Sequence, residues 1–140
     1  MKIMIAGSSQ FAKEMVEYRD RLIELGHENS LHEHYVAMGS GERQDLVDRR
    51  QVEHAQLKIE HDYIRWHYNE IINSDAILVL NFDKNGIKNY IGGNTLMELG
   101  FAHVHNKKIF LLNPIPEMIY TDEIKAVQPI VINNNLNLIA

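Results

Sequence analysis

Apolar and polar positions follow two rhythms along this chain. Ile3-Met4-Ile5-Ala6 is a nearly continuous apolar run after Lys2, ended by Gly7. Such a run marks a strand buried on both faces and predicts a first strand over Lys2–Ala6. Phe11, Met15, Tyr18, Leu22 and Leu25 then recur at spacings of 4, 3, 4 and 3. That spacing predicts a helix, with Gly26 as its stop. A second strand is expected over residues 32–38. Gly39-Ser40-Gly41-Glu42-Arg43 follows, with two glycines and no apolar anchor, and reads as a flexible segment able to form a lid. A polar helix or helix pair is expected over residues 44–73, resting on Leu46, Val47, Ala55, Ile59, Ile64, Ile71 and Ile72.

Residues 76–80 (Ala-Ile-Leu-Val-Leu) form the most apolar strand pattern and are expected to be central. A polar loop with three glycines spans residues 81–93, and a helix is expected over 95–106. A fourth strand over 108–112, a short helix over 121–127 and a fifth strand over 130–132 complete the pattern. Strands alternating with helices predict a parallel sheet with right-handed crossovers over both faces. The expected fold is a single α/β domain over residues 1–140, a flavodoxin/Rossmann-like three-layer sandwich with five parallel strands in the order 2-1-3-4-5. Ligands of such sheets lie beyond the carboxyl ends of the strands, where the order reverses. Residues 7–10, 81–83, 90–98 and Asn113 belong to that edge. Asp75 precedes its strand and reads as a cap or turn residue at the opposite end.

Composition narrows the function. With 140 residues, one domain is expected. The absence of cysteine excludes disulfides, thiolate metal sites and a cysteine nucleophile. The net charge is −5 and no Lys/Arg cluster occurs, so a nucleic-acid polymer is not an expected partner. No apolar stretch approaches the roughly 18 residues of a membrane span, and a cytoplasmic location without membrane partners is expected.

Two segments carry the candidate chemistry. Gly7-Ser8-Ser9 joins a buried strand to a helix, where free backbone N–H groups and the helix dipole favour an anion. The serines either complete a phosphate cradle or cap the helix. Gly92-Gly93-Asn94-Thr95-Leu96-Met97-Glu98-Leu99-Gly100 lets a ligand approach the backbone and puts a carboxylate in the helix that follows. Thr95-x-x-Glu98 also fits a capping box, while Gly100 inside a helix suggests close packing or a nearby ligand.

Met97-Glu98-Leu99-Gly100-Phe101-Ala102 followed by Lys107-Lys108-Ile109-Phe110-Leu111-Leu112, with Ile5-Ala6-Gly7-Ser8 and Ser74-Asp75-Ala76-Ile77-Leu78-Val79, resembles the nucleoside 2-deoxyribosyltransferase family. That family includes 2′-deoxynucleoside 5′-phosphate N-hydrolases and related N-glycosidases. The resemblance implies that Glu98 attacks the anomeric carbon and forms a glycosyl-enzyme, which water or a second base then releases. It also implies that Ser8 and Ser9 hold a 5′-phosphate and that the chain forms a homodimer or higher homo-oligomer; no cofactor is expected. Three positions depart from the family. His67 and Gly92 stand where the transferases have aspartates, and Met4 where members often have tyrosine. Without those aspartates no base preference carries over, and hydrolysis is favoured over transfer.

Other residues have two readings each. Asp83 is a general acid for the leaving base or a solvated loop aspartate. Tyr90 orients Glu98, stacks on a base, or anchors the loop. His67 hydrogen-bonds the base or packs beneath a loop. Asn81 and Asn113 bind sugar hydroxyls or terminate their strands. Gly92, Gly93 and Asn94 are expected to line the substrate. His32-x-His34 on one strand face, with His61 and Asp62, raises a metal reading, but no metal signature occurs and no metal is expected. The expectation is thus an N-glycosidase acting on a nucleoside or nucleoside 5′-monophosphate. The alternatives are a nucleotide-binding or sensing module without turnover, and a scaffold in which Glu98 only caps.

Overall fold

The computed structural model describes residues 1–46, 48 and 54–139, so Val47 lies outside the described residues. Its sheet is parallel and five-stranded, in the order β2-β1-β3-β4-β5. The strands are β1 (Lys2–Ala6), β2 (Glu28–Ser30), β3 (Ala76–Val79), β4 (Lys108–Leu111) and β5 (Ile130–Val131). Helices cover both faces, as the two-sided apolar strands require. Ile3, Ile5, Leu78 and Phe110 turn to a core shared with α1 (Ala12–Glu24) and α2 (Glu33–Ser40). The alternate residues Met4, Ala6, Ile77, Val79, Ile109 and Leu111 turn to the other core. There they meet Ile71, Leu99, Ala102 and Ile124. Ile71 comes from α4 (Tyr63–Ile72), Leu99 and Ala102 from α5 (Gly93–Val104), and Ile124 from α6 (Thr121–Ala126).

The second strand is not where apolarity suggested. Residues 33–40 form α2, and the strand is Glu28–Ser30, paired through Lys2↔Glu28 and Met4↔Ser30. Tyr35 and Met38 are both buried and three residues apart, which is a helical spacing. The strand lies at the sheet edge, so its side chains need no apolar pattern.

The glycine-rich segment is also reassigned. Gly39 and Ser40 close α2, and Gly41 caps it in the left-handed conformation at φ 83°. A Cβ at Gly39 would stand 2.7 Å from the Ala12 carbonyl oxygen, so glycine is what lets α2 reach α1. The expected lid is therefore partly a helix–helix contact. Further along, α3 (His54–His61) and α4 are separated by Asp62, itself left-handed at φ 49°. Ile71 is buried against the sheet, whereas Ile59 and Ile64 are exposed. No helix among the described residues is long and apolar enough to cross a membrane.

Candidate functional site

From β1 the chain crosses to β2 on one side, while β3 takes the other side of β1. The loops that follow β1 and β3 thus diverge at the carboxyl edge and leave a crevice. A cavity of about 210 Å³ occupies it. Gly7, Ser8 and Ser9 form one wall, Gly92, Gly93, Asn94 and Thr95 a second, and Tyr35, Lys58, Lys84 and Tyr90 the remainder.

Gly7 has φ +148°, and a Cβ there would meet the Leu80 carbonyl oxygen at 3.2 Å, so the turn out of β1 needs glycine. Ser8 caps a short 3₁₀ turn (Ser9–Phe11), its Oγ accepting from the Gln10 N–H at 3.2 Å. The same Oγ accepts from Lys84 Nζ at 2.8 Å, and that ammonium also lies over the Tyr90 ring, 5.6 Å from its centroid. Capping and cradling are compatible, because the Ser8 O–H still has a proton to donate.

Across the cavity α5 begins at Gly93, and its first intrahelical bond runs from the Leu96 N–H to the Gly92 carbonyl. The amides of Gly93, Asn94 and Thr95 precede that bond and carry the positive end of the helix dipole. Tyr120 fixes the approach to this wall by donating its hydroxyl to the Ile91 carbonyl.

Glu98 lies one turn deeper. Because α5 starts two residues earlier than its sequence suggests, Thr95 is the third helical residue and no capping box forms. Oε1 instead accepts from Asn94 Nδ2 at 3.1 Å. Asn94 lines the cavity, which puts the Glu98 carboxyl just beneath it, 5% exposed. Burial pushes the Glu98 pKa up to about 8, with Lys58 acting in the opposite direction. Glu98 is therefore a neutral acid at pH 7. Among the described residues, a Cβ at Gly100 meets nothing within 4 Å, so close packing does not account for that glycine.

His67 lies behind Glu98 rather than in the cavity. Its Nδ1 is 2.8 Å from the Tyr63 carbonyl and 3.8 Å from Glu98 Oε1. Burial holds its pKa at about 4, so the two are neutral neighbours and not an ion pair. The Tyr35 ring stacks on it, with centroids 5.5 Å apart. Tyr35 lines the cavity.

Three expected substrate or acid residues serve the fold instead. Asn81 is fully buried; its Nδ2 donates to the carbonyls of Asn113 and Pro114, and its Oδ1 accepts from the Asn113 N–H. Asn113 returns the contact by donating Nδ2 to the Asn81 carbonyl. The pair ties the ends of adjacent strands and does not line the cavity. Asp83 is exposed and accepts from the Asn89 N–H at 2.9 Å, closing its own loop.

The metal reading loses its geometry. His32 is the N-cap of α2, accepting from the His34 N–H, so the two do not share a strand face. Their rings pack with His61, Tyr63 and Trp66, and His34 Nδ1 is 2.8 Å from the Tyr63 hydroxyl. Burial lowers the pKa of both, that of His32 to about 4. Among the described residues no group of three or more His, Asp or Glu is arranged to hold a metal ion.

Lys58, Lys84 and Tyr35 were not legible as site residues. Lys84 neighbours Asp83 in a loop already assigned to the binding edge, and its charge was the available signal. Lys58 and Tyr35 reach the cavity only through the packing of α3 and α2. Compared with protein-family models, curated proteins and solved structures, the chain finds no match.

Proposed function

We propose that the protein is an N-glycosidase acting on a nucleoside 5′-monophosphate, with Glu98 as nucleophile. One observation carries the reading: a buried carboxyl lies directly beneath a cavity lined by serine hydroxyls, lysine ammonium groups and the first residues of a helix. Ser8, Lys84, Lys58 and the first amides of α5 offer hydroxyl, ammonium and amide donors to a phosphate. A cavity of about 210 Å³ is smaller than the roughly 300–1,000 Å³ of most ligand pockets and suits a pentose phosphate, with the base projecting outwards. The resemblance of the Glu98-Leu99-Gly100 segment to the deoxyribosyltransferase family supports the same role.

Attack requires the carboxylate. The Glu98 carboxyl loses its proton, one oxygen bonds the anomeric carbon, and the base departs with the glycosidic electron pair and takes up a proton. Water then attacks the glycosyl ester and releases the sugar phosphate and free Glu98. No cofactor enters this scheme. Asn94, donating to Oε1, steadies the attacking group. A homo-oligomer belongs to the same proposal, since exposed Ile59 and Ile64 adjoin Lys58 on an apolar face beside the cavity.

A second reading, a nucleotide-binding module without turnover, is favoured by the neutral and nearly occluded state of Glu98. Chromatography of free base, released from nucleosides and nucleoside 5′-monophosphates in ribo and deoxy forms, decides between them. Release from a monophosphate that Glu98→Gln abolishes supports the glycosidase. Release unchanged by that substitution overturns the nucleophile, and binding without release supports the module.

A further inference from the structure

We infer that His67 is a positioning residue for Glu98, its Nδ1–H edge held beside the carboxyl so that it stabilises the carboxylate when it forms. The inference rests on the proposed role of Glu98 and adds a residue that the sequence pointed towards the base. A carbonyl oxygen only accepts, so the 2.8 Å contact with the Tyr63 carbonyl puts the proton of the ring on Nδ1. That same nitrogen is the one facing Glu98 Oε1, at 3.8 Å. One N–H thus stands between two acceptors, a backbone carbonyl already engaged and a carboxyl slightly beyond reach.

The ring has little freedom to leave this position. It is 3% exposed, stacked beneath Tyr35 at 28° between planes, and held edge-on by Trp66 with centroids 5.1 Å apart. A donor fixed in this way needs little reorganisation when charge develops beside it. While Glu98 is protonated, the Tyr63 carbonyl is the better acceptor. Once Glu98 ionises, Oε1 becomes the stronger one, and a shift of a few tenths of an ångström shares the proton with it.

The neighbours of the carboxyl assign each group a distinct part. Asn94, on α5 itself, donates at 3.1 Å. Lys58 on α3 favours the carboxylate by charge. His67 on α4 supplies a dipole, because its burial and nearby His32 keep the ring uncharged. A charged imidazole here would hold Glu98 ionised at all times, whereas a neutral N–H favours the carboxylate without fixing it. No proton passes to the ring; the Glu98 proton leaves to solvent.

Carbon-13 NMR of glutamate-labelled protein tests the inference without relying on turnover, with Glu98→Gln identifying the resonance. In wild type the Glu98 carboxyl should titrate near pH 8. His67→Phe keeps an aromatic ring and removes the N–H, and should raise that midpoint by about one pH unit. An unchanged midpoint in folded His67→Phe overturns the inference. If that variant does not fold, the Nδ1 proton resonance of His67 in nitrogen-15-labelled wild type serves instead. It should move with the Glu98 midpoint and stay still in Glu98→Gln; a resonance indifferent to Glu98 overturns the inference. Where base release is detected, the rising limb of kcat/KM should follow the NMR midpoint in both proteins. Coupling without base release leaves His67 in place and removes the glycosidase reading. Release without coupling does the reverse.

Discussion

Two polar clusters stand at the carboxyl edge of one sheet, and they spend their hydrogen bonds differently. Asn81 and Asn113 bond each other through side chain and backbone, and every polar atom of the buried Asn81 amide is taken. Ser8, Lys84 and Asn94 have Gln10, Ser8 and Glu98 among their partners, and together with the start of α5 they line a cavity. The first cluster closes the fold over strands β3 and β4, while the second leaves the switch point beside β1 open. A residue's place at the binding edge therefore does not make it a binding residue. What separates the two clusters is whether their polar groups face each other or line open space.

The largest effect expected from this difference is a pH dependence confined to the open cluster. Glu98 has a folded pKa near 8 against an ordinary value of 4.5, so the folded state binds its proton more tightly than the unfolded chain. Its contribution is present in full below pH 4.5 and is lost as the pH rises through 8. The loss is of order 3–5 kcal/mol for a group this buried. Glu98→Gln should remove that slope from denaturant midpoints measured between pH 5 and 9; a slope that survives would contradict the buried neutral acid.

Breaking the closed cluster should cost folding and spare binding. Asn81→Ala strands the Asn113 N–H and the carbonyls of Asn113 and Pro114 in a partly buried place, a loss of about 2 kcal/mol. Chemical unfolding reads this directly, and nucleoside monophosphate affinity of the folded fraction should stay near wild type. A stable Asn81→Ala protein that no longer binds would reverse the assignment of the two clusters.

The smallest effect on stability, and the sharpest on binding, belongs to Lys84→Met. Ser8 Oγ still accepts from the Gln10 N–H and Lys84 is a half-buried loop residue, so stability should change by no more than about 1 kcal/mol. Calorimetry should show affinity for a nucleoside 5′-monophosphate falling about tenfold, the worth of one charge-assisted contact, with nucleoside affinity unchanged. Equal losses for both ligands would remove Lys84 from phosphate recognition.

The sheet order, β1 and the central strand were readable because two-sided burial writes itself as an unbroken apolar run, seen at residues 3–6 and 76–79. The edge strand Glu28–Ser30 carries no such mark, and Tyr35 and Met38 imitated a strand only while their three-residue spacing went unread. At the site, the glycines and serines that bend the backbone were visible, as was a carboxylate in the next helix. The helix start was displaced because Gly92 caps α5 through its backbone alone, with no side-chain bond. Lys58 and Tyr35 enter the cavity through helix packing, which local pattern does not encode. The roles of Asn81 and Asn113 depended on finding each other across 32 residues.

Both margins of the sheet are short: three polar residues in β2 on one side and two residues in β5 on the other. A sheet with an apolar centre invites runaway strand addition wherever a long bare edge is left. Here neither edge is long enough to template a foreign strand. Any self-association of the folded chain would thereby be steered to helix surfaces, and concentrated solutions should resist the edge-to-edge stacking that starts amyloid.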